Sequence, residues 1–216
     1  VKTIKSNDIV QYNNSGLEKG KTYYYKMRSY RMNGDEEKTY SEYSNVAYMP
    51  ASVVFTNVYS NSSSRVRLLW EEVKGAHGYQ IWRKSAEEDY RVVKTIGDRG
   101  NELTNDQGEV TAYSKTGLEA GRTYTYRMRA FAICDGKKVY GVYSDEMTVI
   151  VMPEAPVLKV SSPKSGRAVL NWNEIQGSSG YQIWRAEKEE GTYSIVKSIT
   201  NGKTISYTNN GLESGK

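Results

Sequence analysis

Apolar and polar residues alternate along short stretches of this chain with the period of a β-strand, not that of a helix. In Val66–Trp70, Val66, Leu68 and Trp70 share one face; in Tyr79–Arg83, Tyr79 and Ile81 point inward while Gln80 and Trp82 point outward. Tyr90–Ile96 and Val110–Ser114 predict two further strands. Thr123–Ile133 alternates longest, with Tyr124, Tyr126, Met128 and Ala130 on one face and Thr125, Arg127 and Arg129 on the other. A first strand around Ser52–Tyr59 and a last over Val139–Val151, entered through the Asp135-Gly136 hairpin signal, complete seven. No window sustains helical periodicity for three turns. Strands with one apolar face must bury those faces against one another, so an all-β, two-sheet sandwich of about 100 residues is predicted. Trp70 is its expected centre.

The pattern repeats. Gly117–Ala130 is matched by Gly16–Ser29, and Gly211–Lys216 repeats its opening. Trp70 and Trp172 lie 102 residues apart, as do Trp82 and Trp184. A period near 100 is too long for a solenoid repeat and matches a complete small domain. Aligning Val1–Ile4 and Val196–Ile199 with Val93–Ile96 divides the chain into three. Residues 1–50 read as the second half of a module, 51–153 as a complete one, and 154–216 as a first half. On this reading the chain is expected to be a piece of a longer polypeptide. Leu118 stands six residues before Tyr124, across a Gly-containing loop that leads into a strand. That is the spacing of a tyrosine corner, in which the phenol returns to bond the loop backbone. Leu17 and Tyr23 share it. The predicted core comprises Trp70, Tyr79, Ile81, Leu118, Tyr124 and Tyr126, with Trp172 as the counterpart of Trp70.

Composition sharpens this. Nineteen Tyr and four Trp stand against two Phe, with four Pro and frequent Gly, as expected of a β protein punctuated by turns. The formal charge of +5 comes from Lys and Arg interspersed with Asp and Glu, which argues against nucleic acid as a partner. No apolar run approaches the length of a membrane span, so no membrane insertion is expected. No signal-peptide pattern begins the chain, an absence that says nothing about secretion if the chain is internal to a longer one. The single Cys134 rules out an intrachain disulfide.

Candidate chemistry is sparse. His77 is the only histidine, so neither a Ser-His-Asp arrangement nor a multi-histidine zinc site can be assembled. His77 reads as a polar turn residue and Cys134 as an incidental thiol. The paired carboxylates Glu71-Glu72 and Glu87-Glu88-Asp89 are neighbours that strand geometry sends to opposite faces. No catalytic residue, cofactor or metal ligand is assigned. The second module carries an insertion around residues 98–109, where Asp98, Asn101, Glu102, Asn105 and Asp106 offer oxygen ligands without the regular spacing of a calcium loop. Trp82 and Trp184 are the more informative positions. Turned outward beside Arg127 and Arg129, an indole could stack on a sugar ring or be covered by the two guanidinium groups in a cation–π ladder; the ladder is the simpler reading.

With Trp70, the Tyr79-x-Ile81 strand, the Leu118 to Tyr124 corner and the Tyr126-x-Met128-x-Ala130 strand in place, the chain resembles the fibronectin type III family. The cadence of Gly78–Arg83, Gly117–Tyr124 and Tyr140–Ser144 is similar to members found in tandem in surface and secreted proteins of Gram-positive bacteria. The resemblance implies a seven-stranded immunoglobulin-like sandwich and an extracellular, cell-surface setting. It implies a non-enzymatic spacer that positions distal domains, joined by the short Pro-containing linkers Met49–Ala51 and Met152–Pro156. Two alternatives accompany it: a carbohydrate-binding accessory module using Trp82 and Trp184, and an adhesin module contacting surface proteins. The two partial modules expose complementary faces and are expected to fray or to pair with neighbouring copies. Trp172, Tyr181 and Ile183 are expected to be uncovered.

Overall fold

The computed structural model describes residues 2–6, 8–18, 20–34, 37–97 and 111–213. Every helical or extended element among them is a β-strand. The first segment holds β1 (Tyr23–Tyr25), β2 (Tyr30–Asn33), β3 (Glu37–Tyr40) and β4 (Ala47–Met49), paired β1 with β4 and β2 with β3. The central module holds β5 (Phe55–Ser62), β6 (Arg65–Trp70), β7 (Gly78–Lys84), β8 (Arg91–Ile96), β9 (Ala112–Lys115), β10 (Thr123–Cys134), β11 (Lys137–Tyr140) and β12 (Met147–Ile150). One of its sheets has the order β5-β6-β9; the other runs β11-β10-β7-β8, with β12 also paired to β10. The last segment holds β13 (Leu158–Lys164), β14 (Arg167–Trp172), β15 (Tyr181–Arg185), β16 (Ser194–Ile199) and β17 (Ser206–Asn210), ordered β13-β14-β17 and β15-β16.

The core of the central module lies between its sheets, where alternation placed it. Val66, Leu68 and Trp70 of β6 face Tyr79 and Ile81 of β7 and Tyr124, Tyr126, Met128 and Ala130 of β10, all buried. Trp70 meets Tyr79 edge-on with ring centroids 5.4 Å apart. The Tyr79 hydroxyl accepts the Val73 backbone N–H at 3.0 Å, which ties the turn after β6 to the start of β7. The tyrosine corner forms twice: the Glu119 N–H reaches the Tyr124 hydroxyl at 3.4 Å, and the Glu18 N–H reaches Tyr23 at 2.7 Å. Asp135 and Gly136 both take left-handed backbone angles, φ 50° and 74°, as a two-residue hairpin turn needs.

Some expectations are corrected. The returning strand predicted over Val139–Val151 is two strands, β11 and β12, because Ser144 stands between them. Its Oγ accepts the Met128 N–H at 3.0 Å and its own N–H donates to Met128 O, replacing the ladder with a side-chain bridge. Ser44 does the same to Met27, and there the strand equivalent to β10 splits into β1 and β2. Burial in β10 does not stop at Ala130. Phe131 and Ala132 are also buried, and Phe131 occupies the space that Gly78 leaves open; a Cβ on Gly78 would lie 2.4 Å from that ring. Trp172 and Ile183 are not uncovered: with Leu170 they form a buried cluster, and Tyr181 packs against it half-buried. The physical reason is local. β14 and β15 repeat the Trp70–Tyr79 contact, with Trp172 and Tyr181 centroids 5.3 Å apart and the Ile175 N–H on the Tyr181 hydroxyl at 3.1 Å, and Val196, Ile199 and Tyr207 of β16 and β17 pack against the cluster. In the first segment, by contrast, Tyr25 and Met27 are exposed.

Ion pairs tie the edge of the larger sheet. Glu88 lies 3.2 Å from the buried Arg83 and 3.4 Å from Arg91, and Glu87 pairs with Arg122. Arg91 foremost, then Arg83, holds the Glu88 carboxyl below its ordinary value. A hydrogen bond from Arg122 does the same for Glu87.

Three outcomes are expected. Trp70→Ala removes a central aromatic at a cost of about 3–5 kcal/mol and abolishes the cooperative unfolding transition of the central module in calorimetry, whereas Trp82→Ala leaves a transition in place. Tyr124→Phe costs about 1–3 kcal/mol in denaturant unfolding, the penalty for an unmade buried hydrogen bond; an unchanged midpoint would show that the corner bond contributes nothing. The depressed carboxyl pKa values of Glu87 and Glu88 mean that their stabilisation is complete above the unfolded-state value and is lost as pH falls through the folded-state value. The thermal midpoint should therefore drop on acidification below the ordinary glutamate range, and Glu88→Gln should flatten that slope.

Candidate interaction face and module junctions

The outer face of the larger sheet presents Trp82 from β7 and Arg127 and Arg129 from β10. Antiparallel register sets Arg127 opposite Trp82 and Arg129 opposite Gln80. The guanidinium groups stand between aromatic rings. Arg127 lies 3.9 Å from the Tyr90 centroid and 4.1 Å from that of Tyr143, and Arg129 lies 4.9 Å from Tyr143 and 3.9 Å from Tyr140. The stack thus alternates ring and cation from Tyr90 to Tyr140. Trp82 lies beneath it, 5.8 Å from each guanidinium and edge-on to Tyr143. The Trp82 indole N–H donates to Gln80 Oε1 at 3.1 Å, and the same oxygen receives Arg129. Trp82 is therefore half-buried. Trp184, its counterpart on β15, is 50% exposed.

At one end of the stack, Lys84 pairs with Glu146 at 3.1 Å. The Tyr90 phenol, then Lys84, holds the Glu146 carboxyl below the usual range, while burial foremost, then Glu146, pushes the Tyr90 hydroxyl up.

The first segment repeats the stack without a tryptophan. Lys26 lies 4.0 Å from the Tyr43 ring, and Arg28 lies 4.9 Å from Tyr43 and 3.7 Å from Tyr40. Lys26, Arg28, Tyr40 and Tyr43 thus take the places of Arg127, Arg129, Tyr140 and Tyr143. The rungs Tyr90, Tyr140 and Tyr143 were not singled out from the sequence, although the recurrence of Tyr40 and Tyr43 one hundred positions before Tyr140 and Tyr143 carried the signal.

His77 was read as a turn residue and proves to join two modules. Its Nδ1 accepts the Ile133 N–H at 3.2 Å and lies 3.2 Å from the Tyr48 hydroxyl of the first segment. That hydroxyl donates to Gly75 O at 2.8 Å, and the Tyr48 ring stacks on Tyr24. Burial, then Cys134 and Tyr24, pushes the Tyr48 phenol up. Asn45 reaches Asp135 at 2.7 Å. Cys134 Sγ lies 3.8 Å from Tyr48 O.

The second junction engages the equivalent turn of the later module, one hundred and two residues further on. Gly177, the counterpart of Gly75, lies against Gly121: a Cβ on Gly177 would be 2.4 Å from Gly121 O, and one on Gly121 would be 2.1 Å from Gln176 O. Both glycines have positive φ, 74° and 70°. Asn173 Oδ1 accepts the Val157 N–H at 2.7 Å, and Ser60 Oγ accepts the Met152 N–H at 2.8 Å, so the chain segment between the modules is anchored on both sides.

Among the described residues no group of three His, Cys, Asp or Glu side chains could hold a metal ion, and no helix is long and apolar enough to cross a membrane. The oxygen-rich insertion of residues 98–109 lies outside the described residues.

Known proteins place this architecture. Residues 56–149 match the family described as the fibronectin type III domain, SaeA third domain. An amylopullulanase of Thermoanaerobacterium saccharolyticum is 33% identical over 72 residues, 32% of this chain and 6% of that protein. Fibronectin type III domain-containing protein 7 of Homo sapiens is 26% identical over 166 residues, 77% of this chain and 20% of that protein. The chain therefore spans one fifth or less of the length of these curated relatives. Among solved structures, the chicken CNTN1 FN1–FN3 domains are 19% identical, covering 88% of this chain and 66% of that one with a TM-score of 0.37. An Fn3-like protein from Clostridium thermocellum is 22% identical, covering 46% and 88% with a TM-score of 0.32. The central module, whose sheets pair β5-β6-β9 and β11-β10-β7-β8, is a fibronectin type III domain.

Proposed function

We propose that this chain is a stretch of a tandem array of fibronectin type III modules that serves as a semi-rigid, non-catalytic spacer in a bacterial surface or secreted protein. The observation that carries the reading is that the same turn of the later module is engaged at two successive junctions, though by different partners. In each, the turn at Gly75 or Gly177 of the later module is held against the module before it by direct contact, by Tyr48 in the first case and by Gly121 in the second. Short linkers containing Pro50, Pro153 and Pro156 leave little slack to loosen them. A spacer needs this property: the distance and angle between whatever precedes and follows it are transmitted, not averaged away.

A second reading, contact with polysaccharide or with surface proteins through the face around Trp82 and Trp184, is favoured by the stacked rings and cations there. The likeness of part of the chain to an amylopullulanase, an enzyme named for its polysaccharide substrates, supports a carbohydrate-associated setting for such arrays.

The spacer reading is tested by small-angle scattering on the whole chain. Wild type should fit a narrow set of inter-module angles. Gly177→Val, which places a branched side chain at positive φ and against Gly121 O, should broaden that set while leaving the thermal transition of the central module within about 0.5 kcal/mol of wild type, as a change outside its core allows. A wild-type ensemble as broad as that of the variant would overturn the spacer reading.

A further inference from the structure

Among the described residues the cations of the ring stacks have aromatic partners and no direct ion pair, although Arg127 is close enough to Glu146 to help hold its carboxyl below the usual range. Lys26, Arg28, Arg127 and Arg129 enter none of the ion pairs among the described residues, which join Lys21, Arg83, Lys84, Arg91 and Arg122 to glutamates. Arg129 has one neutral acceptor, Gln80 Oε1. An unpaired guanidinium at a surface is ordinarily mobile and fully hydrated. Here Arg127 is held with one ring 3.9 Å and another 4.1 Å from its centre and its Nε buried, so its terminal N–H groups are what remains for bonding.

Ring faces already occupied by guanidinium groups cannot also stack on a neutral sugar. What the face offers is N–H donors of Arg and Lys together with phenol edges, placed against rings and carrying more positive than negative charge. Such an array fits ligands rich in acceptor oxygens and negative charge, and it has been ordered before the ligand arrives, so less side-chain entropy is lost on binding. A shorter version of the array, Lys26 and Arg28 against Tyr43 and Tyr40, stands on the preceding segment. A single small anion gains nothing from that repetition, whereas a polymer with regularly repeated acidic groups engages both arrays at once.

We propose that these stacks form a repeated binding face for an acidic polysaccharide, with the edges of Arg127, Arg129, Arg28 and Lys26 meeting its carboxylate, sulfate or phosphate groups. The distance between the two faces sets the stretch of polymer spanned. The inference does not depend on the spacer reading, since a flexible array would present the same two faces.

The test is affinity electrophoresis and titration calorimetry of the full 216-residue chain against polygalacturonate, dextran sulfate, neutral dextran and poly-glutamate. Binding to polygalacturonate or dextran sulfate, weakening as salt rises, with neutral dextran inert, is the expected result; the stronger of the two identifies the acidic group preferred. The double variant Arg127→Gln with Arg129→Gln should lose at least tenfold in affinity. Lys26→Gln with Arg28→Gln, at exposed positions of the first segment where folding of the central module is not at stake, should lose a similar factor. Lys164→Gln with Lys197→Gln removes the same charge away from the stacks and should change affinity less than twofold. Equal losses in all three double variants would reduce the effect to net charge and overturn the proposal. So would retention of neutral dextran equal to that of the acidic polymers, absence of binding to either acidic polysaccharide, or poly-glutamate binding as strong as theirs, which would indicate an acidic protein partner instead.

Discussion

The structure depends on one contact, the indole of Trp70 set edge-on to the ring of Tyr79, with the Tyr79 hydroxyl bonded to the Val73 backbone. Each of the two sheets in the module has an apolar face that water disfavours, and neither can bury that face alone. Trp70 comes from one sheet and Tyr79 from the other, so their contact fixes how the sheets approach, and the hydroxyl bond fixes the turn that carries the chain across. The last segment shows how much follows from this kernel. Trp172, Tyr181 and the Ile175 N–H reproduce it and draw Leu170 and Ile183 into burial with five strands among the described residues.

The inward placement of Trp70 and Tyr79, the alternation of β6, β7 and β10, and the tyrosine corner were legible because they are written in short-range periodicity and in a repeat that marks equivalent positions; the contact between the two rings and the Tyr79–Val73 bond were not. The split of the returning strand was not legible. Ser144 looks like any polar residue in an extended run, and its bridge to Met128 depends on which residue lies opposite in the folded sheet. The role of His77 was hidden for the same reason: its partners, Ile133 and Tyr48, lie 56 and 29 positions away. The burial of Trp172 was not legible, because the number of strands present does not reveal how closely Val196, Ile199 and Tyr207 pack over it.

The interaction face falls between these cases. Trp82, Arg127 and Arg129 could be placed on it by alternation, and a ladder among them was a natural outcome. The tyrosines that complete it could not be placed, because Tyr140 and Tyr143 come from a strand end and the loop that follows, where side-chain direction has no simple period. Their guanidinium contacts turn a decorated sheet surface into an ordered one. Order is the distinction between a surface that is merely positive and one able to select by shape.

The close approach of Gly121 to Gly177 has a further consequence. A contact between two backbones at close approach resists compression steeply, while separation is opposed by softer restraints, the hydrogen bonds from Met152 N–H to Ser60 and from Val157 N–H to Asn173. The second junction is therefore stiffer in one direction than in the other: closing meets a steric stop, opening meets only those bonds and the short linker. A string of such joints would keep its set angle under small loads, and a larger load applied across it would meet different stiffness according to the side from which it came.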